Sequence, residues 1–201
     1  MTTEPKFIPN EAVEISLANN LKFKTRLVDC VGYLVDNAIG YLEDDMPRMV
    51  KTPWSEEEIP FEKAAEIGTK KVIEEHSTIG ILVTTDGSVT GIPREDYIKP
   101  EERVVAELKS LNKPFVILLN STDPNSDYTK ELSKTLAEKY DTTVIPINCE
   151  YLDINDINNI FSKILYEFPA DQIRIKFPRW VDGLDFSHPL KAELFKEIKE
   201  A

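Results

Sequence analysis

Three short polar segments of this 201-residue chain have residue types that bind phosphate groups and metal ions. Each follows a run of β-forming residues; they are Asp29-Cys30-Val31-Gly32, Asn120-Ser121-Thr122-Asp123 and Asn148-Cys149-Glu150. A carboxylate such as Asp29 can hold a magnesium-bound water, and the following glycine leaves a backbone N–H free to approach a terminal phosphate. Alone, the Asp-x-x-Gly pattern is weak evidence, because an Asp that caps a turn produces it equally well.

The elements around these segments alternate between strands and helices. Apolar residues at helical spacing predict helices over 61–75, 101–111, 126–140 and 154–168, and β-rich runs predict strands over 78–85, 113–120 and 142–148. The strand over 113–120 is apolar on both faces, as a buried parallel strand must be. This alternation predicts an α/β fold with a mostly parallel sheet covered by helices on both sides. Since ligands bind at the carboxyl ends of such strands, the polar segments are expected at that edge.

The rest of the chain is less regular. Alternating residues over 12–18 and 21–28 flank Asn19-Asn20 and predict one antiparallel hairpin, whose second arm should continue to Asp29. Residues 33–60 are expected to form a long irregular loop, in which Trp54 either packs on the chain's own sheet or anchors a neighbouring subunit. Residues 1–168 are predicted to be one domain, and 169–201 the incomplete start of the next region, with a short strand over 173–177 and a helix over 189–201.

Composition excludes several classes of protein. The chain is 41% hydrophobic and 30% charged, which is typical of a globular domain, and its net charge of −12 without a basic stripe argues against nucleic-acid binding. No apolar run approaches the roughly 20 residues of a membrane span, and the N-terminus lacks the features of a signal peptide. A cytoplasmic location is therefore expected. Cys30 and Cys149 lie far apart without a Cys-x-x-Cys or Cys/His cluster, which favours free thiols over a disulfide or a zinc site.

The order of the polar segments resembles that of P-loop GTPases of the TRAFAC type. In that arrangement a threonine-bearing loop, here Thr2-Thr3, precedes the hairpin, and Asp-x-x-Gly ends its second strand. Later strands end in Asn-x-x-Asp and in a small polar loop, as at 120–123 and Asn148. The phosphate-binding GxxxxGK[ST] loop has no counterpart in this sequence. The predicted fold is thus a three-layer P-loop NTPase sandwich with one antiparallel hairpin, missing its first strand and P-loop.

Longer segments resemble a more specific family. They are Met1-Thr-Thr-Glu-Pro-Lys-Phe, Leu27-Val-Asp-Cys-Val-Gly-Tyr, Pro47-Arg-Met-Val, Thr52-Pro-Trp, Ile59-Pro-Phe, Ala64-Ala-Glu-Ile-Gly-Thr, Glu75-His-Ser-Thr-Ile-Gly, Val83-Thr-Thr-Asp-Gly, Glu101-Glu-Arg-Val and Leu165-Tyr-Glu-Phe-Pro. Together they make residues 1 to about 169 similar to the stage IV sporulation protein A family. This resemblance implies a fragment of a longer protein, which begins at the switch loop and stops just past the nucleotide-binding domain.

The resemblance also implies an activity and a place in the cell. Family members hydrolyse ATP with Mg²⁺, and hydrolysis drives self-assembly of the basement layer of the endospore coat on the mother-cell face of the forespore membrane. Thr2 and Thr3 would be sensor threonines and Asp29 the Walker B acid, with Thr3 and Asp29 at the metal. The implied partners are further copies of the chain, other coat morphogenetic proteins and a small peptide bound to the forespore membrane, so membrane contact would be indirect. This chain alone is expected to be inactive.

The base-binding end departs from the GTPase pattern. Where a GTPase has Asn-Lys-x-Asp, this chain has Asn120-Ser-Thr-Asp123, and the missing lysine stem, which packs along the purine, favours ATP. Asp123 still offers a carboxylate for N1 and N2 of guanine, so GTP stays an alternative. Gly32, Asn120, Asp123 and Asn148 are the predicted nucleotide-binding residues. An alternative function, which is structural rather than enzymatic, is that of an assembly module of the coat without its own nucleotide chemistry. The segment 84–87 either touches nucleotide or forms only a turn.

Overall fold

The structure, a computed structural model, describes residues 9, 11–17, 21–36, 38, 42–43, 46–52, 55–168, 175–185 and 187–200. Its first part forms three antiparallel strand pairs. They are β1 (Val13–Ser16) with β2 (Lys22–Thr25), β3 (Leu42–Glu43) with β4 (Met46–Pro47), and β5 (Met49–Thr52) with β6 (Ser55–Pro60). The predicted hairpin is therefore confirmed, although β2 ends at Thr25 and does not reach Asp29.

The prediction of an irregular loop over 33–60 and of a single hairpin in the fold is wrong. Two further short hairpins occupy part of that segment. The prolines that suggested a loop, Pro47 and Pro60, stand at the last positions of β4 and β6. A proline at a strand end interrupts the hydrogen-bonded ladder least, because its missing N–H lies at the margin of the pairing.

A parallel sheet of three strands follows, interleaved with helices. The elements are α1 (Phe61–Lys71) with a π-helical continuation (Val72–His76), β7 (Gly80–Thr85), α2 (Arg94–Ser110), β8 (Phe115–Asn120), α3 (Asp127–Tyr140), β9 (Val144–Ile147) and α4 (Ile154–Tyr166). The strand order is β7-β8-β9, and both pairs are parallel. The predicted alternation and the parallel sheet are confirmed.

Helices cover both faces of this sheet. Successive residues of β8 point to opposite sides, so each face of the strand packs against a different set of elements. Phe115, Ile117 and Leu119 pack against α2 and α3, whereas Val116 and Leu118 pack against α4 and the first hairpin. Each of the five is at most 7% exposed, so β8 is buried on both faces as its sequence predicted. The sheet thus holds the carboxyl ends of three strands in fixed register.

Helix α2 begins earlier than the sequence predicted. The expected start followed Pro100, but the helix begins at Arg94 and contains Pro100. A proline inside a helix costs about 3 kcal/mol, so the first turns need stabilisation from elsewhere. A buried ion pair between Arg94 and Glu101, which spans these turns, provides it.

The chain divides into two compact units, Met1–Phe168 and Pro169–Ala201. In the second, the described residues form α5 (Arg179–Asp182) and α6 (Pro189–Glu200), and the rings of Phe177 and Phe195 lie 6.3 Å apart. The helix expected over 189–201 is confirmed. Residues 175–177 form no strand, whereas 173 and 174 lie outside the described residues.

Two further expectations concern the thiols and the membrane. Cys30 and Cys149 are both free and half-buried, and burial raises the pKa of each thiol. The expectation of free thiols is therefore confirmed. In the part of the chain that the structure describes, no helix has the length and apolar character needed to cross a membrane.

A cavity of about 780 Å³ lies between the first hairpin and β7. Its lining includes Phe23 and Val28 on the hairpin side, Ile79 and Ile81 on the β7 side, and Phe161 of α4. Among the described residues β7 pairs only with β8, so its other edge has no ladder partner. Among the described residues β7 also forms no ladder with β2, although two strands that flank an unfilled place in a sheet can pair directly. The GTPase-like order predicts a further strand at this place.

We expect the 201-residue chain, expressed as such, to aggregate or to melt without a sharp transition. The free edge of β7 offers unpaired backbone groups for strand addition, and Val83 on this strand is 56% exposed. Sedimentation velocity and a thermal melt followed by circular dichroism measure both properties. Val83→Lys is the informative variant, because a charge on an edge strand opposes strand addition and should reduce aggregation. A soluble monomer with a sharp reversible melt would contradict this expectation.

Candidate functional site

The carboxyl ends of the three parallel strands are joined by hydrogen bonds between their loops. The Asp86 N–H donates to the Asn120 carbonyl at 3.3 Å, and the Ser121 N–H donates to the Ile147 carbonyl at 2.9 Å. The Asn120 side chain accepts from the Cys149 N–H through Oδ1 at 2.9 Å. Asn120 therefore bridges the loops on its two sides. We call this set of three loops the carboxyl edge.

Asn148 completes the carboxyl edge. Its Nδ2 donates to the Thr122 carbonyl at 3.4 Å, and its Oδ1 accepts from the Glu150 N–H at 3.0 Å. Asp123 is exposed in the same loop as Thr122, and its Oδ1 accepts from the Asn125 N–H at 3.2 Å. The structure thus brings together Asn120, Asp123 and Asn148, three of the predicted nucleotide-binding residues; their roles stay predictions.

A buried hydroxyl network lies beneath these loops. Thr129, in the first turn of α3 and 0% exposed, donates to Asp86 Oδ2 at 2.9 Å and lies 3.2 Å from Ser121 Oγ. The other carboxylate oxygen, Asp86 Oδ1, accepts from the N–H and the hydroxyl of Ser88 at 2.9 and 2.5 Å. Burial raises the pKa of Asp86, but hydrogen bonds from Ser121, Ser88 and Thr129 outweigh burial and lower it. Asp86 is therefore an ionised acceptor at neutral pH.

A second buried cluster fixes α2 against the end of β7. Arg94 Nη2 lies 2.8 and 2.7 Å from the two carboxylate oxygens of Glu101, and Nη1 donates to Thr84 Oγ1 at 3.5 Å. The Tyr140 hydroxyl donates to Glu101 Oε1 at 2.7 Å. Burial, and next the bond to Glu101, raise the pKa of Tyr140 to about 12. Because Gly87 Cα would carry a Cβ 3.1 Å from the Arg94 N atom, the turn after β7 also packs tightly on α2.

Neither buried cluster was predicted from the sequence. One signal was available for Glu101, which stands on the same helical face as Val105 and Leu108. A charged residue on an apolar stripe is rarely buried without a partner. Thr129 gave no comparable signal, because a hydroxyl three residues after Ser126 is typical of an ordinary helix start.

Two of the residues predicted to contact a terminal phosphate or its metal, Asp29 and Gly32, lie in a different segment. Asp29 is exposed beyond the end of β2, and Gly32 has a φ of +80°, a conformation that favours glycine. The Gly32 N–H donates to Thr69 Oγ1 of α1 at 3.0 Å. In this conformation the N–H is therefore not free to bind a phosphate. None of the hydrogen bonds that residues 26–33 make with other described residues reaches the carboxyl edge.

The residue after Gly32 anchors this segment to α1 and α2. The Tyr33 hydroxyl hydrogen-bonds to Glu107, and the Arg103 guanidinium lies 4.0 Å from the centre of the Tyr33 ring. Arg103 is itself paired with Glu66 of α1 and, at 3.5 Å, with Glu107. Burial and the hydrogen bond to Glu107 raise the pKa of Tyr33. Polar contacts of Gly32 and Tyr33 thus hold residues 29–33 on the two helices.

The remaining predicted residues lie outside the described part of the chain. These residues are Thr2, Thr3 and Trp54. Because Thr3 lies outside the described residues, Asp29 is the one predicted metal ligand whose position is described. Within the described residues no three His, Cys, Asp or Glu side chains come close enough to hold a metal ion. The Asp123 carboxylate is exposed and has the chemistry to accept from a donor on a base, whereas the Asn120 and Asn148 side chains already bond to neighbouring loops. Binding of a nucleotide by these residues stays a prediction.

Comparison with known proteins identifies a sporulation family. A family model described as the ATPase domain of stage IV sporulation protein A matches residues 1–169. The whole chain is similar to stage IV sporulation protein A of Clostridioides difficile strain 630, with 50% identity, of Bacillus anthracis, with 48%, and of Bacillus subtilis strain 168, with 46%. It spans 41% of the length of each of these relatives. No solved structure matches it significantly.

Proposed function

The chain belongs to the stage IV sporulation protein A ATPase-domain family, and we propose on this premise that it supplies the base-recognition part of an ATP-hydrolysing domain. The observation that supports the proposal is the meeting of Asn120, Asp123 and Asn148 at the carboxyl edge of a parallel sheet, where α/β proteins bind nucleotides. The fold would be that of a P-loop NTPase of the TRAFAC type.

In this proposal each residue at the carboxyl edge has a distinct task. Asn120 fixes the spacing of two loops through the Cys149 N–H, and Asp123 presents an exposed carboxylate to a donor on the base. Adenine offers its exocyclic amine as such a donor. Because Ser121 stands where a GTPase has lysine, no long aliphatic stem lies along the purine, which favours ATP over GTP.

Asp29 would hold Mg²⁺, which neutralises the charge that develops on the transferred phosphate. Its carboxylate is exposed and so available to a metal ion. The Gly32 N–H would have to exchange its bond to Thr69 for one to a phosphate oxygen. Thr2 and Thr3 would report the terminal phosphate.

Hydrolysis in the full-length protein would drive self-assembly of the basement layer of the endospore coat, at the outer forespore surface in the mother-cell cytoplasm. Its partners would be further copies of itself, other coat morphogenetic proteins and a small peptide bound to the forespore membrane. The net charge of −12 disfavours a nucleic-acid partner.

A second candidate function is a structural assembly module of the coat without its own nucleotide chemistry. One observation favours it: the Gly32 N–H is bound to Thr69 rather than free, and the segment 29–33 is held on α1 and α2. Nucleotide binding by the full-length protein distinguishes the two candidates.

We expect the full-length gene product to bind ATP, and Asp123→Ala to weaken that binding about 10-fold, because a hydrogen bond to a charged group is worth about 1.5–3 kcal/mol. Isothermal titration calorimetry with ATP and with GTP measures both affinities. Asp127→Ala, an exposed carboxylate at the start of α3, is the matched control and should bind as the wild type does. Failure of the wild type to bind either nucleotide would overturn the proposed function in favour of the structural module, and tighter binding of GTP would overturn the preference for ATP.

A further inference from the structure

We propose that Asp86 and Thr129 are positioning residues for base recognition, and that they hold Asp123 in place through a directed chain of hydrogen bonds. The inference rests on the proposed function, since it explains how the loop bearing Asp123 keeps a defined shape. Neither residue touches the exposed face of the carboxyl edge, because Asp86 is 8% exposed and Thr129 is 0% exposed.

The direction of the chain follows from the number of protons available. An ionised carboxylate only accepts, and a threonine hydroxyl has one proton. Since Thr129 Oγ1 gives its proton to Asp86 Oδ2 at 2.9 Å, it can only accept from its two other hydroxyl neighbours, Ser126 Oγ at 2.8 Å and Ser121 Oγ at 3.2 Å. Ser121 Oγ in turn accepts from the Asp123 N–H at 3.0 Å. Every donor in the chain therefore points toward Asp86.

A second branch holds the neighbouring residue in the same way. The Thr122 N–H donates to Ser88 Oγ at 3.0 Å, and Ser88 Oγ donates to Asp86 Oδ1 at 2.5 Å. Two successive backbone N–H groups of one exposed loop thus both reach Asp86 through hydroxyls, that of Thr122 through Ser88 alone and that of Asp123 through Ser121 and then Thr129. Because linked hydrogen bonds polarise one another, the two branches strengthen together when Asp86 is ionised.

This arrangement couples different parts of the sheet. Asp86 follows β7, Ser121 to Asp123 follow β8, and Thr129 lies in α3. A buried network with all its members satisfied fixes one conformation, whereas a partly satisfied one does not. Loss of the Thr129 hydroxyl would remove the acceptor that lies 3.2 Å from Ser121 Oγ and a donor to Asp86, and so loosen the hold of Ser121 on the Asp123 backbone, while the Asp123 carboxylate itself stayed intact. The expected consequence is a loss of base selectivity rather than a loss of the fold.

The test compares Thr129→Val with Thr129→Ser in the full-length gene product, using ATP and GTP as probes. Valine has the shape of threonine without the hydroxyl, and serine keeps the hydroxyl. We expect Thr129→Val to change the ratio of ATP to GTP affinity at least about 5-fold, the size of one neutral hydrogen bond, and Thr129→Ser to restore it. Thr135→Val is the control on the same helix, because the Thr135 hydroxyl is exposed and, of the described residues, bonds only to the Glu131 carbonyl. It should leave the ratio unchanged.

A double variant separates positioning from general destabilisation. Adding Thr129→Val to Asp123→Ala should change the affinity ratio no further, because both act through the same carboxylate. If Thr129→Val does not fold, Ser121→Ala tests the same chain with a smaller volume change. A selectivity change in Asp123→Ala without one in Thr129→Val or Ser121→Ala would overturn the positioning role and leave the proposed function standing. Absence of nucleotide binding by the wild type would overturn both.

Discussion

The Glu101→Ala variant should destabilise α2 by about 3–5 kcal/mol, because it leaves the Arg94 guanidinium buried without its counter-charge. The two side chains are 2% and 10% exposed, so water cannot replace the lost carboxylate. The substitution also removes the acceptor of the buried Tyr140 hydroxyl. Few other single substitutions in the described part of the chain break a charge pair at this depth.

Hydrogen exchange of the α2 amides in the full-length protein measures this effect as a fall in the free energy of local opening. Glu102→Ala is a matched control on the next residue. Glu102 pairs with Lys139 at 2.7 Å, but the two side chains are 50% and 43% exposed, so the cost should stay below about 1 kcal/mol. Equal effects of the two variants would show that burial of the Arg94 pair contributes nothing to stability.

The alternation of strands and helices could be predicted because it is a local property of the sequence. Residues 115–119 are apolar without interruption. Helix α4 has Ile160, Phe161 and Ile164 on one face, and Asp153 is its N-cap. Such patterns fix which elements form and which faces are buried. They also place Asn120 and Asn148 at the ends of adjacent strands, which is why the meeting of these two residues at one edge of the sheet could be predicted before the fold was known.

Other parts of the fold depend on contacts between distant residues and could not be predicted in this way. The strands of the β3-β4 hairpin have two residues each, too few for a periodic pattern. The start of α2 depends on Arg94 reaching Glu101 across a proline, and the shape of the Asp123 loop depends on Thr129 reaching Asp86. Local propensity contains no information on these pairs, so the predicted start of the helix was wrong and the hydroxyl network was missed.

The largest functional effect is expected for Asp29→Ala in the full-length gene product. ATP turnover should fall by about 100-fold or more, because a metal ion contributes several kcal/mol of transition-state charge stabilisation and each 1.36 kcal/mol is tenfold in rate. Affinity for ATP should change much less, since the base contacts proposed for Asn120 and Asp123 are untouched. Steady-state phosphate release gives the turnover, and calorimetry with the same preparation gives the affinity. Asp36→Ala is the control, because it removes another exposed carboxylate seven positions along the chain, and it should retain wild-type turnover.

The outcome for Asp29 also decides whether the segment 29–33 moves. In the described conformation Gly32 is bound to Thr69, and Tyr33 is bound to Glu107. If Asp29→Ala selectively loses turnover and Gly32 acts beside it at the phosphate, the Gly32 N–H must exchange its bond to Thr69 for one with the nucleotide, which requires a second conformation of the segment. The Gly32 bond is a single hydrogen bond worth about 1 kcal/mol net, and any displacement of Tyr33 adds the loss of its contacts with Glu107 and Arg103. Wild-type turnover in Asp29→Ala would instead remove Asp29 from the site and leave the segment as a fixed brace between α1 and α2.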